Sequence, residues 1–270
     1  MIVESKRVMI GRGRSAELFA WGKGKALKLF YPGWSLAAAE AEARAAQRVY
    51  ESGLRVPAVE GTIEVDGRPG IIYQRVEGPA MLDSLPTQPW AVIHFARLLA
   101  ELHTDMHTRR AEGFPSQREY MLKQIQSASS LTDQKKQAVL KILDKLPDGD
   151  ALCHGDYHPA NVLLAKEGPF IIDWPLAAHG NPIADVARTS LLLTMGAMQS
   201  GTPGRWLMEM GRNLFHHFYL ERYMRLRSIS SQQIAAWRVP VAAARLGEGL
   251  EEETDNLLNV IDSALQEVTG

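Results

Sequence analysis

Hydrophobic positions follow two regimes along the chain. In the first 76 residues the apolar runs are short, and glycine interrupts them. Val8–Ile10 ends at Gly11-Arg12-Gly13-Arg14-Ser15, Leu18–Trp21 ends at Gly22-Lys23-Gly24, and Ala26–Phe30 alternates around Lys28. Short apolar runs separated by glycine turns predict antiparallel strands. Val59–Val65 and Pro69–Gln74 flank Asp66-Gly67, and Asp-Gly between two apolar runs predicts a hairpin. One stretch breaks this regime. Ser35–Ser52 is rich in Ala, Glu and Arg, lacks Gly and Pro, and is followed by Gly53. That pattern predicts a helix with a glycine stop.

Glu77-Gly78-Pro79 punctuates the chain, and beyond it the pattern turns helical. Trp90–His107 carries Ile93, Ala96, Leu99 and Leu102 at helical spacing. Thr132 reads as the N-cap of a further helix that ends before Pro147. Short apolar runs return at Ala151–Cys153, Val162–Ala165 and Phe170–Ile172. From Ile183 to Val268 the pattern is mostly helical, with breaks near Gly201–Gly204 and Ser228–Ser231. The fold class this predicts is α+β. Residues 1–76 form a small β-rich N-terminal lobe with one main helix, and residues 77–270 a larger α-helical C-terminal lobe.

Composition narrows the function classes. The 270 residues are 46% hydrophobic and 23% charged, which is ordinary globular usage and argues against disorder. Such a chain buries a sizeable core without help from a disulfide or a structural metal. Lys plus Arg is 30 and Asp plus Glu is 31, a net charge of −1, so no electrostatic case exists for a nucleic-acid partner. Cys153 is the single cysteine, which excludes an internal disulfide. Met1–Arg7 has no apolar run like that of a secretory signal, and no stretch reaches the ~18 apolar residues of a membrane span. The expectation is a soluble, cytoplasmic protein with no membrane partner.

Two segments carry the chemistry. His154-Gly155-Asp156-Tyr157-His158-Pro159-Ala160-Asn161 leads into the apolar Val162-Leu163-Leu164, and Phe170-Ile171-Ile172 leads into Asp173-Trp174. Polar side chains at the edge of a strand are where a rigid scaffold presents functional groups. Asp156, Asn161 and Asp173 can divide two tasks. One carboxylate can orient and deprotonate a hydroxyl. The other carboxylate and the amide can hold Mg²⁺, a hard cation that shares its remaining positions with phosphates and water. A rival reading takes His154, Asp156 and His158 as zinc ligands of a metal-dependent hydrolase. Pro159 argues for a loop there, and the rival leaves Lys28 and the glycine loop unexplained.

His-x-Asp-x₄-Asn, followed after a short hairpin by Asp, resembles the catalytic loop and metal aspartate of protein kinases. The spelling His-Gly-Asp-x-His-Pro-x-Asn, with Ile-Asp-Trp downstream, resembles the aminoglycoside phosphotransferase family of small-molecule kinases more closely. That resemblance implies a bilobal protein-kinase-like fold and transfer of the γ-phosphoryl group of ATP, or GTP, to a hydroxyl of a small molecule. The acceptor would be an aminoglycoside or another metabolite. It makes Asp156 the catalytic base and gives Asn161 and Asp173 to Mg²⁺. His154 and His158 support the loop. Asp185, in Asn181–Arg188, braces the site.

The N-terminal region supplies the remaining parts such a kinase needs. Gly11, Gly13 and Ser15 belong to a loop over the phosphates, with Ala16 in place of a third glycine. Lys28 is the strand lysine. Glu40 and Glu42 both lie on the helix, and two residues apart they cannot both face Lys28. Glu42 is preferred, because its distance to Gly53 and Pro57 resembles the family's Glu…Gly-x-x-x-Pro stretch. Gln74, Arg75 and Val76 fall where the adenine hinge would be. A non-catalytic nucleotide-binding module of the same fold is the alternative, and retention of Asp156 argues against it.

Three features read as structural. Cys153 packs as a small buried hydrophobe. His103 and His107 are one helical turn apart, a metal-binding spacing, but no acidic partner is evident and a plain helix face is the preferred reading. Glu248, Glu251, Glu252, Glu253 and Asp255 read as a solvated helix face rather than a site for a cationic substrate.

Overall fold

The computed structural model describes residues 8–195 and 205–269. The expected break at Gly201–Gly204 and the Met1–Arg7 segment lie outside the described residues. In chain order the regular elements begin with β1 (Met9–Arg12), β2 (Ala16–Ala20), β3 (Lys25–Phe30), α1 (Leu36–Glu51), β4 (Val59–Val65), β5 (Arg68–Gln74) and α2 (Met81–Ser84). There follow α3 (Val92–Met106), α4 (Gln117–Ser127), α5 (Asp133–Leu143), β6 (Ala151–Cys153), β7 (Val162–Ala165), β8 (Gly168–Ile171) and β9 (Ala178–Gly180). The last are α6 (Pro182–Met195), α7 (Arg205–Arg227), α8 (Ser231–Leu246) and α9 (Thr254–Thr269). None of the described helices is long and apolar enough to cross a membrane.

The chain divides into two compact units, Met1–Ser84 with Ala160–Pro175, and Leu85–Pro159 with Leu176–Gly270. The first is built on an antiparallel sheet in the order β1-β2-β3-β5-β4. Asp66 and Gly67 turn β4 into β5 with φ of 53° and 71°. Both angles are positive, as the tight hairpin turn that matches strand twist requires. Helix α1 starts where Ser35 accepts from the Ala38 amide, and buries Ala39, Glu42, Ala43, Ala46 and Val49 along one face. That face packs on the sheet through Ala16, Phe30, Ala39, Ala43 and Ile71. The β7–β8 hairpin joins this unit through backbone bonds. The Leu164 amide donates to Pro79, and the Ile171 amide donates to Arg55.

The second unit is helical. Helix α3 packs along α7, while α8 touches α4, α5, α6 and α9. Strands β6 and β9 pair antiparallel, with Cys153 opposite Ala178. Thr132 caps α5 as its sequence predicts, by accepting from the Lys135 amide. Helix α4 has no strong apolar stripe, since Met121 and Ile125 are its buried positions. Its start is marked by Ser116, which accepts from the Glu119 amide.

Candidate active site

Lys28 lies mid-way along β3, opposite Leu18 on one side and Ile71 on the other. Strand alternation puts it on the same face as Ala26 and Phe30. A lysine sunk among apolar neighbours needs a negative partner, and Lys28 has two. Its Nζ donates to Glu42 Oε1 at 2.6 Å and to Asp173 Oδ1 at 2.6 Å. Burial pushes the ammonium toward its neutral form. Asp173 and Glu42 more than offset this and hold its pKa above the ordinary lysine value. Glu42 is 6% exposed, and its burial outweighs the pull of Lys28, so its carboxyl sits above the usual range. The Tyr73 hydroxyl also donates to Glu42, at 3.4 Å. Glu40 points elsewhere and pairs with Arg44 at 3.6 Å.

A pocket of about 760 Å³ is lined wholly by residues of the first unit. Gly11, Gly13 and Ser15 line it, with Lys28 and Glu42, the 74–76 segment, and Asn161 and Asp173. The volume suits a ligand of nucleotide size. The loop is tied at its base, where the Gly13 amide donates to the Ala16 carbonyl at 2.8 Å and the Tyr31 hydroxyl donates to the Gly13 carbonyl at 3.2 Å. Ala16 is 1% exposed and packs in the core against α1. The position that would hold a third glycine therefore serves the core, which explains the incomplete glycine pattern.

Asp173 has φ of 68°, a left-handed conformation that aspartate tolerates better than most residues. Residues held in such conformations cluster at functional sites. Its side chain is 39% exposed, and Oδ2 has no hydrogen-bond partner among the described residues. A spare carboxylate oxygen and the amide of Asn161 on one pocket wall are hard oxygen donors, and this set fits Mg²⁺.

The second unit holds the other part of the motif. His154 is fully buried, and its Nδ1 accepts from the Asp156 amide at 3.2 Å. Asp185, in the first turn of α6, accepts from the amides of His154 (2.7 Å, Oδ2) and Gly155 (2.9 Å, Oδ1). The Asp156 carboxylate lies 3.6 Å from His158 Nε2. Burial raises its pKa, but His158, and behind it the charges of Arg188 and His154, outweigh this and hold it well below the usual carboxylate value. Asp156 is therefore held in its ionised form near neutral pH.

A match to the phosphotransferase enzyme family (APH) extends over residues 10–226. The chain belongs to this family. It is a small-molecule kinase that transfers phosphate to a hydroxyl group. No curated protein matches the chain. Among solved structures, one similar fold is a thermostable mutant of aminoglycoside phosphotransferase APH(4)-Ia in ternary complex with ADP and hygromycin B. It has TM-score 0.68 and 15% identity, covering 98% of this chain and 95% of that one. Another is the GDP complex of aminoglycoside 2'-phosphotransferase-IIIa, with TM-score 0.59 and 16% identity, covering 96% and 92%. A third is choline kinase from Cryptosporidium parvum Iowa II, with TM-score 0.59 and 12% identity, covering 98% and 89%. These likenesses place the phosphotransferase in the protein-kinase-like α+β fold.

Two readings of the sequence need correction. His103 and His107 do have an acidic partner. Asp185 Oδ2 lies 3.1 Å from His103 Nε2 and 3.3 Å from His107 Nε2, and their Nδ1 atoms meet the hydroxyls of Tyr219 (2.7 Å) and Tyr223 (2.6 Å). Burial pushes the His103 pKa down to about 3 and lowers that of His107. Both rings are neutral, each able to donate Nε2–H to Asp185 and accept a tyrosine proton at Nδ1. The acidic cluster is not wholly a solvated face. Arg188 binds both oxygens of Glu248, and Arg245 bonds to Glu248 and Glu253. The rival zinc set of His154, Asp156 and His158 does not form a compact ligand group. Among the described residues the one His/Asp group whose ligand atoms lie within 4.8 Å of one another is His103, His107 and Asp185. Cys153 is fully buried, and burial pushes its thiol well up, so it is no nucleophile.

Proposed function

We propose that the phosphotransferase moves the γ-phosphoryl group of ATP, or GTP, to a hydroxyl of a small molecule in an Mg²⁺-dependent reaction in the cytoplasm. The observation that carries this reading is Lys28 Nζ, bonded at 2.6 Å to both Glu42 and Asp173 in the wall of a nucleotide-sized pocket. Lys28, oriented by Glu42, holds the α- and β-phosphates. Gly11, Gly13 and Ser15 cover the phosphates, and the 74–76 segment meets the base. Asn161 and Asp173 would hold Mg²⁺, which when bound offsets negative charge on the phosphates. Asp156, ionised and steadied by His158, accepts the proton of the acceptor hydroxyl. Asp185 keeps the 154–155 backbone in place through two amide bonds. His154 supports the same loop.

Relatives of this fold in complexes with ADP and hygromycin B or with GDP support a purine nucleotide and a polyhydroxylated acceptor. The choline kinase likeness keeps other alcohols in view. The melting temperature should be measured with Mg²⁺ alone, Mg-ATP, Mg-GTP and Zn²⁺. A ligand at a hundred times its dissociation constant stabilises by about 2.7 kcal/mol, roughly 2–4 °C for a chain of this size. A shift with Mg-ATP or Mg-GTP, but not with Mg²⁺ alone, is the expected result and names the donor. No shift with either nucleotide, or a shift with Zn²⁺ alone, would sink the reading. An acceptor panel with the named donor then identifies the alcohol.

A further inference from the structure

The glycine loop carries two arginines whose situations differ. Arg12, at the end of β1, donates to Glu17 Oε1 at 3.0 Å, a carboxylate on the neighbouring strand that it shares with Arg68. Arg14 sits at the loop tip, exposed, between Gly13 and Ser15. It has no ion pair or hydrogen bond among the described residues, yet it lines the same pocket as Lys28 and Asp173. Glycine loops hold phosphates mainly through free backbone amides. Here the Gly13 amide is already spent on the Ala16 carbonyl, and Ala16 is committed to the core. Of the other cations that line the pocket, Lys28 is matched by two carboxylates and Arg75 pairs with Glu77 at 3.5 Å. Among the described residues, Arg14 is therefore the one cation lining the pocket that has no acidic partner.

We propose that Arg14 binds the β- and γ-phosphates of the nucleotide through its guanidinium, standing in for the Gly13 amide that the loop spends on Ala16. A planar fork of N–H groups suits phosphate oxygens, and the pairing is charge-assisted. The proposal rests on the nucleotide reading above and adds to it a phosphate-binding residue contributed by this chain's own loop. It makes recognition depend on the phosphate chain and on salt, because the guanidinium is exposed.

The test compares dissociation constants for the nucleoside and for its Mg-triphosphate, using whichever of Mg-ATP and Mg-GTP the wild-type chain binds. The wild type, Arg14→Ala, Arg14→Lys and Arg12→Ala are measured at low and high salt. Arg14→Ala should weaken the triphosphate about tenfold and leave the nucleoside within about twofold. Its triphosphate affinity should also lose much of its salt dependence. Arg14→Lys should fall between, keeping charge but losing the fork. Arg12→Ala should keep the wild-type ratio of triphosphate to nucleoside affinity. Both side chains are exposed, so the variants should melt like the wild type without ligand. An Arg14→Ala protein with the wild-type ratio would overturn the proposal, as would an Arg12→Ala protein with the same loss. A wild-type chain that binds neither triphosphate overturns the nucleotide reading along with it, so the two failures are distinct.

Discussion

Two carboxylates on one buried ammonium set the chemistry of Lys28. Glu42 is fixed from α1 and Asp173 from the turn after β8, so a residue of each element is held by the same proton donor. Removing Glu42 leaves Asp173 as the counter-charge but strands the Tyr73 hydroxyl and frees the ammonium to swing. Glu42→Ala should cost about 1–3 kcal/mol in urea unfolding and weaken Mg-nucleotide binding. An unchanged midpoint and affinity would show that Glu42 does not orient the lysine. Asp156 differs in kind, because it does not line the nucleotide pocket. Asp156→Asn should lower turnover about 10²–10⁴-fold, the range of a lost general base, while the nucleotide dissociation constant stays within about twofold. Turnover at the wild-type level would remove Asp156 from the role of base.

At the scale of elements, the loop that leads from β6 to β7 is held from behind. Gly155 has φ of 79°, and a Cβ there would lie 2.7 Å from Leu176 Cβ and 2.8 Å from the Leu176 carbonyl oxygen. The backbone conformation and the close approach of Leu176 both demand glycine, so the loop cannot carry the arginine of a protein kinase at this position. Gly155→Ala should destabilise by about 1–3 kcal/mol and reduce turnover, because relief of the clash moves the amide that Asp185 holds. A variant with wild-type stability would mean that the loop adapts freely. Local signals made many elements legible. Alternation and Asp66-Gly67 marked β4 and β5, and Ser35 and Gly53 bracketed α1. Helix α4 was not read, although Ser116 with Glu119 three residues on is a capping signature, because it lacks an apolar stripe. Strand β9, three residues with a histidine at its centre, is defined by pairing with β6 rather than by its own pattern.

Across the whole molecule, what could be read depended on sequence distance. Asp156 and Asn161 stand five residues apart in one motif, and Asp173 follows a short hairpin, so spelling alone singled them out. The groups that brace Asp185 come from residue 103 on α3 and residue 107 at its C-terminal cap, 82 and 78 positions away, and from tyrosines on α7 a further 116 positions from those histidines. Nothing local announces such a meeting; the histidines looked unpartnered because their acid is distant in sequence. The same is true of Glu248, whose arginines lie on α6 and α8. This buried cluster makes stability depend on pH with a definite sign. An unfolded histidine takes up a proton near pH 6.5, whereas folded His103 resists protonation down to about 3. Between those values the unfolded chain binds more protons, so stability falls as pH falls. His103 alone contributes about 2 kcal/mol of loss between pH 7 and pH 5. His107 adds to it in the same direction. Asp185, its carboxyl held well below the usual range by both histidines against the effect of burial, gives stability that disappears only at still lower pH. The urea midpoint should therefore drop from pH 7 to pH 5. His103→Gln should lower the midpoint at pH 7, by disturbing Asp185 and Tyr219, yet flatten that drop, because one neutral-buried imidazole is gone. A wild-type midpoint that is level from pH 7 to 5, or a variant with an equally steep drop, would mean that His103 is not held neutral in the folded protein.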